Sequence, residues 1–175
     1  MRETITRVVI SPRKTRLLPV ISHSTLVGTV TTRDTVLYVC AQVVGGCLGA
    51  MLANIMFELP AVEFSTHHRS SGALWVSEIV ATVGLLLVIN GCVRSGRASV
   101  VPFAVGAWIA GAYWFTSSTS FANPAVTIAR TLSDTFAGIA PSSAPMFIVM
   151  QFAGMVLAFG LIRFFYPHVH EESSP

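Results

Sequence analysis

The sequence predicts an all-α membrane protein with four transmembrane helices and one short helix between the last two. Three observations carry that prediction. Only 11% of the 175 residues are charged and 53% are hydrophobic, whereas soluble domains carry about 25% charged residues. Four apolar runs, at 37–57, 74–93, 100–115 and 146–165, reach or approach the roughly 20 residues that cross a bilayer. Between the last two runs lies Ser120-Phe121-Ala122-Asn123-Pro124-Ala125-Val126, which reads as the start of a short helix.

Residues 1–35 hold Arg2, Arg7, Arg13, Lys14, Arg16 and Arg33 against Glu3 and Asp34. Their apolar patches are too short to span, so the segment reads as a basic cytoplasmic tail able to lie along anionic lipid. Residues 36–166 form the membrane domain. Its first span, 37–57, contains Gln42 and Asn54, and Gly45 with Gly49 offers a Gly-x-x-x-Gly face for close helix contact. Residues 58–73 read as a solvated polar loop. Its His67-His68 pair lacks a third metal ligand, and Cys40, Cys47 and Cys92 lack ligand spacing and read as small packing residues.

The second span, 74–93, carries one charge, Glu78, with Thr82 one turn on along the same face. A carboxylate in a spanning helix is costly and calls for a protein or water partner. Glu78 is therefore either buried with a partner or hydrated near the interface. The third span, 100–115, ends in the interfacial aromatics Tyr113 and Trp114. The fourth, 146–165, includes Gln151 and Gly154, and residues 167–175 form a solvated cytoplasmic tail.

The short helix at 123–132 has clear local causes. Asn123 is a good N-cap, and Pro124 at the first helical position loses no hydrogen bond. Two placements remain open for it: a re-entrant half-helix inside the membrane, or a connector on its surface.

Of the 11 Lys and Arg residues, all but Arg69 and Arg130 fall on one side once both termini are placed in the cytoplasm. The positive-inside rule selects this orientation in the cell membrane. The basic excess thus reads as topology, with the lipid bilayer and not nucleic acid as the partner. Nothing suggests an enzyme: no nucleophile–base arrangement, metal spacing or phosphate loop occurs, and no cofactor or metal is expected.

One internal repeat stands out. Gln42-x-x-Gly45-x-x-x-Gly49 in the first span matches Gln151-x-x-Gly154-x-x-x-Ala158 in the last. The two spans run in opposite directions, as an inverted duplication would leave them. Together these residues resemble the aquaporin (major intrinsic protein) family, whose members have six spans in two inverted repeats, each with an Asn-Pro-Ala half-helix. The resemblance covers about residues 30–166, from the family's third span onward. Spans one and two and the first signature have no counterpart, so the fold expected is a truncated aquaporin-like one.

By that resemblance, Asn123, Pro124, Ala125, Val126, Gly111 and Ser120 line the pore and its selectivity filter. Glu78, Thr82, Gln42 and Gln151 support the pore loop. The family usually has Arg directly after the second signature; Val126 stands there, and Arg130 comes one turn later, where it contacts a solute, caps carbonyls or pairs with Asp134, the last two being favoured. Val126, Gly111 and Ser120 imply a filter wider and less cationic than a strict water channel. The function implied is passive transport of water or small neutral solutes such as glycerol, in a homo-oligomer that is tetrameric by resemblance. The alternatives are a truncated, non-conducting membrane protein and a helical membrane scaffold. With one half-helix where the family pore uses two, the isolated chain is expected to conduct poorly.

Overall fold

The computed structural model describes residues 31–166. Most of the basic tail, and the tail at 167–175, lie outside the described residues. Four long helices and one short one follow in order: α1 (Thr32–Met56), α2 (Gly72–Arg94), α3 (Val101–Phe115, entered through a 3₁₀ turn at Ala98–Val100), α4 (Pro124–Ala129) and α5 (Ala144–Phe165). Each of the four long ones, counting the 3₁₀ turn with α3, is long and apolar enough to cross a membrane.

Local capping moves one expected boundary. The helix starts at Thr32 rather than at 37, because Thr31 Oγ1 accepts the Asp34 amide at 3.2 Å. Asp34 in the first turn also complements the helix dipole. The last residues given to the tail thus belong to α1.

Helix α2 is the axis of the packing. It buries Glu78, Ala81, Thr82, Leu85, Leu86 and Ile89, a stripe at helical spacing, and packs against both α5 and α3. Gly154 sets the approach of α5. A Cβ there would lie 2.9 Å from Thr82 Cβ and 3.0 Å from the Ile79 carbonyl oxygen, too close for any larger residue. On the other flank, Trp108 Nε1 donates to the Ala81 carbonyl at 3.1 Å, and its ring occupies the space beside Gly84.

Helix α1 packs on α4. The glycine that allows this is Gly46, where a Cβ would meet Ala129 Cβ at 3.3 Å. Gly45 and Gly49, expected to form the close-contact face, look onto open space. One residue is 100° of helix, so choosing between adjacent glycines requires the position of the partner. Apart from Asn54, no residue of α1 is buried.

Candidate pore-wall site

The site is built where the loop after α3 turns into α4. Asn123 Oδ1 accepts the Ala125 amide at 2.8 Å, and Pro124 opens the helix. A 3₁₀ turn at Arg130–Leu132 continues it. Asn54 Nδ2 on α1 donates to the Leu132 carbonyl at 2.9 Å, satisfying one acceptor at the far end. Ahead of Asn123 the backbone is unusual: Thr119, Ser120 and Ala122 have φ of 62°, 49° and 48°. Each non-glycine residue in this region costs about 1–2 kcal/mol and must be held there by its surroundings.

Glu78 does the holding. Its side chain is fully buried, and its two oxygens accept four hydrogen bonds. Ser118 Oγ donates to Oε1 at 2.6 Å and the Phe121 amide at 3.0 Å, while the Ala122 amide donates to Oε2 at 3.0 Å. Gln151 Nε2, on α5, donates to Oε2 at 2.7 Å and also to Thr127 Oγ1 at 2.8 Å. Thr127 Oγ1 in turn donates to the Asn123 carbonyl at 3.0 Å. One carboxylate therefore joins α2, the strained loop, α4 and α5. Thr82 is not part of this hold. Its hydroxyl is buried without a hydrogen-bond partner, and its Cβ packs at Gly154. Gln42 is half-buried on α1.

A second clamp escaped the sequence reading. Arg69, in the segment whose composition predicts a solvated loop, is only 3% exposed. Its guanidinium donates to the carbonyls of Gly138 at 2.7 Å, Phe136 at 2.8 Å and Ser118 at 3.0 Å, and its carbon lies 5.3 Å from the Phe121 ring centroid. Burial lowers its pKa, and the charge of Glu78 opposes that shift. Ser118 is thus gripped twice, its hydroxyl by Glu78 and its carbonyl by Arg69. The segment itself is laid against the end of α4 through Ser65 N to the Thr131 carbonyl at 3.0 Å and Glu63 N to the Leu132 carbonyl at 3.2 Å. The sequence carries no signal of this burial, because the partners of Arg69 are 49 to 69 residues away.

Beside this loop lies a cavity of about 180 Å³. Ser120, Asn123 and Val126 line it, as does Arg130. Pro124 and Ala125 form the first turn behind them, with Ala125 buried. Gly111 is not among the lining residues. The cavity face of α3 is Val105, Ile109 and Tyr113, spaced by four, and a residue two positions from Ile109 falls on the opposite side of the helix. Nor does Arg130 pair with Asp134. That carboxylate accepts the Thr66 amide at 2.9 Å, with Thr66 Oγ1 at 3.1 Å and Ser65 Oγ at 3.3 Å. These bonds, the Thr66 amide foremost, hold its pKa below the ordinary carboxylate value.

A short helix capped by Asn123 and tied through Glu78 to two membrane-length helices defines an integral membrane protein with a re-entrant element. Its sequence is similar to that of a member of the aquaporin (major intrinsic protein) family. It is 46% identical over 138 residues to aquaglyceroporin AqpS of Rhizobium meliloti (strain 1021), an alignment covering 79% of this chain and 59% of that protein. The chain therefore spans less than two thirds of the length of this curated relative. No family model matches the sequence, and no solved structure matches it.

Proposed function

We propose that this chain forms part of the wall of a passive channel for water and small neutral solutes of the glycerol kind. The observation that carries the reading is a set of polar groups without protein partners beside the cavity. The carbonyls of Thr119, Ser120, Phe121 and Ala122 accept no hydrogen bond among the described residues. Ser120 Oγ is buried without a partner, and Asn123 Nδ2 makes no bond among the described residues. Unsatisfied polar groups at membrane depth cost several kcal/mol each, so this loop calls for water or a solute. A neutral solute that both donates and accepts matches donors and acceptors held on one loop, while the apolar wall of Leu85, Val105 and Ile109 limits the polar contacts available to an ion. Kinship with an aquaglyceroporin supports the same solute class. The family resemblance adds a homo-oligomer to this reading.

The test joins this chain to the part of AqpS outside the 138-residue match and measures vesicle permeability. Water and glycerol fluxes are expected well above those of empty vesicles. Val126→Arg should lower the glycerol-to-water permeability ratio several-fold, because Arg adds bulk and fixed donors beside the cavity. Fluxes equal to those of empty vesicles would overturn the channel reading, and an unchanged ratio would remove Val126 from the filter.

Both termini are placed in the cytoplasm of the cell membrane in this reading, on the strength of the basic asymmetry. Ser71 and Ser95, at opposite ends of α2, are both exposed. With Cys40, Cys47 and Cys92 replaced by Ser, an impermeant thiol reagent applied outside whole cells should label Ser71→Cys and spare Ser95→Cys. The opposite pattern would reverse the orientation.

A further inference from the structure

We propose that the adjoining ends of α2 and α5 hold an anionic phospholipid, with Arg94, Arg97 and Arg163 receiving its phosphate and the exposed apolar side chains beside them seating its acyl chains. The proposal stands apart from the channel reading, since none of these residues lines the cavity.

Arg94 stands in the last turn of α2 and Arg163 in the last turn of α5, and these two helices pack together. A contact shows that their ends coincide. The Arg94 guanidinium carbon lies 5.0 Å from the ring centroid of Tyr166, the residue that closes α5. Arg163 lies over Phe159, one turn back, at 5.4 Å. Arg97 is placed by the turn that leaves α2. Gly96, with φ of 71°, lets the Arg97 amide reach the Cys92 carbonyl at 2.9 Å while its own amide reaches that of Val93 at 3.1 Å. This pairing closes a helix at a left-handed residue. The Val100 amide then donates to the Arg97 carbonyl at 3.0 Å, so the residue is fixed on both sides. The backbone thus brings three arginines to one end of the bundle.

The dipoles of α2 and α5 favour cations at these ends, yet the arginines cap nothing. The closing turn already satisfies Cys92 and Val93, and Ser95 Oγ donates to the Gly91 carbonyl at 2.6 Å. All three arginines are exposed, and their side chains make no hydrogen bond or ion pair among the described residues. The rings of Tyr166 and Phe159 each cover one face of a guanidinium, which leaves the N–H donors along its edge free for an anion. Two observations select a lipid over a soluble phosphate. Helix α2 has 23 residues, about 35 Å at 1.5 Å per residue, against a hydrocarbon core of roughly 30 Å. Arg94 at its end therefore falls at headgroup depth. The surface beside the arginines is apolar and open, because Val93, Val100, Phe103, Phe164 and Phe165 are all exposed. A phosphate diester bearing acyl chains matches both surfaces, and inorganic phosphate matches one.

The test uses the full chain in detergent and native mass spectrometry, with phosphatidylglycerol and phosphatidylcholine of identical acyl chains as probes. Phosphatidylglycerol should bind about tenfold more tightly. Arg94→Gln, Arg97→Gln and Arg163→Gln combined should bring the affinity ratio close to one. Arg94→Gln and Arg163→Gln singly should each lower it about two- to threefold, so the result does not hang on the folding of the triple variant. A ratio unchanged in the triple variant, or in both single ones, overturns the site. With Arg2, Arg7, Arg13, Lys14 and Arg16 all replaced by Gln, the preference should persist. Its loss there would assign the lipid to the basic tail and overturn the proposal. Glycerol 3-phosphate at matched ionic strength should not displace the lipid; displacement would make this a soluble-phosphate site and overturn the lipid assignment. A ratio near one in the parent, rising only in Glu171→Gln with Glu172→Gln, would make the C-terminal segment the occupant and overturn it too.

Discussion

Glu78→Ala is expected to lower the thermal midpoint of the full chain in detergent by about 10 °C. The substitution removes the acceptor of four hydrogen bonds, from Ser118, Phe121, Ala122 and Gln151. Two of the donors are backbone amides that have no alternative partner in the loop. Hydrogen bonds to charged groups contribute about 1.5–3 kcal/mol each. They share one acceptor and are not additive, so the net loss is on the order of 4 kcal/mol, or roughly 10 °C for a chain of this size. Burying the carboxylate itself is costly. That cost does not rescue the alanine variant, because the donors stay buried when the acceptor goes. Glu78→Gln should fall between the two, since its amide group sets a donor against donors. Hydrogen exchange should accelerate first at Phe121 and Ala122, whose amides point at the carboxylate. A midpoint within about 2 °C of the parent, with exchange at these amides unchanged, would remove Glu78 as the anchor of the strained loop.

Arg69→Ala should be nearly as damaging, by about 3 kcal/mol, through a different mechanism. Here the carbonyls are orphaned: those of Ser118, Phe136 and Gly138 lose their donor together, and Phe121 loses the cation over its ring. Lys cannot span three acceptors with one ammonium, so Arg69→Lys should recover less than half of the loss. The distinguishing readout is regional. Exchange should rise at Gly138, Ile139 and Ala140 as well as around residues 65–69, because Ala140 N to the His67 carbonyl at 2.8 Å and Arg69 N to Ser143 Oγ at 3.0 Å join the same two segments. If exchange changed only within 65–72, Arg69 would be a local feature and not the tie between the two loops.

These two clamps show where one-dimensional reading stops. Glu78 was legible, because a lone carboxylate in an apolar run is expensive enough to demand a partner. The choice between a buried and a hydrated Glu78 was not, since the donors are the amides of Phe121 and Ala122 and the side chains of Ser118 and Gln151, each more than 35 residues away. Arg69 left no comparable signal. An Arg between two spans reads as solvated, and only the folding of 116–122 and 133–143 over it supplies its carbonyls.

Features that rest on nearest neighbours along the chain are readable from the residues alone. Run length and hydropathy set four membrane-length helices. Asn123 and Pro124 start α4, because an N-cap and a first-turn proline act within three residues of themselves. Which face of each helix is used depends on long-range packing. Gly46 rather than Gly45 meets α4, Tyr113 rather than Gly111 faces the cavity, Thr82 packs on Gly154 instead of bonding the loop, and Arg130 faces the cavity without Asp134. One cause underlies all four. A helix of nearly uniform hydrophobicity carries little information about its own orientation, since lipid and protein are about equally apolar surroundings. Rotation is then set by the few polar and close-packed contacts made with segments far away in the chain.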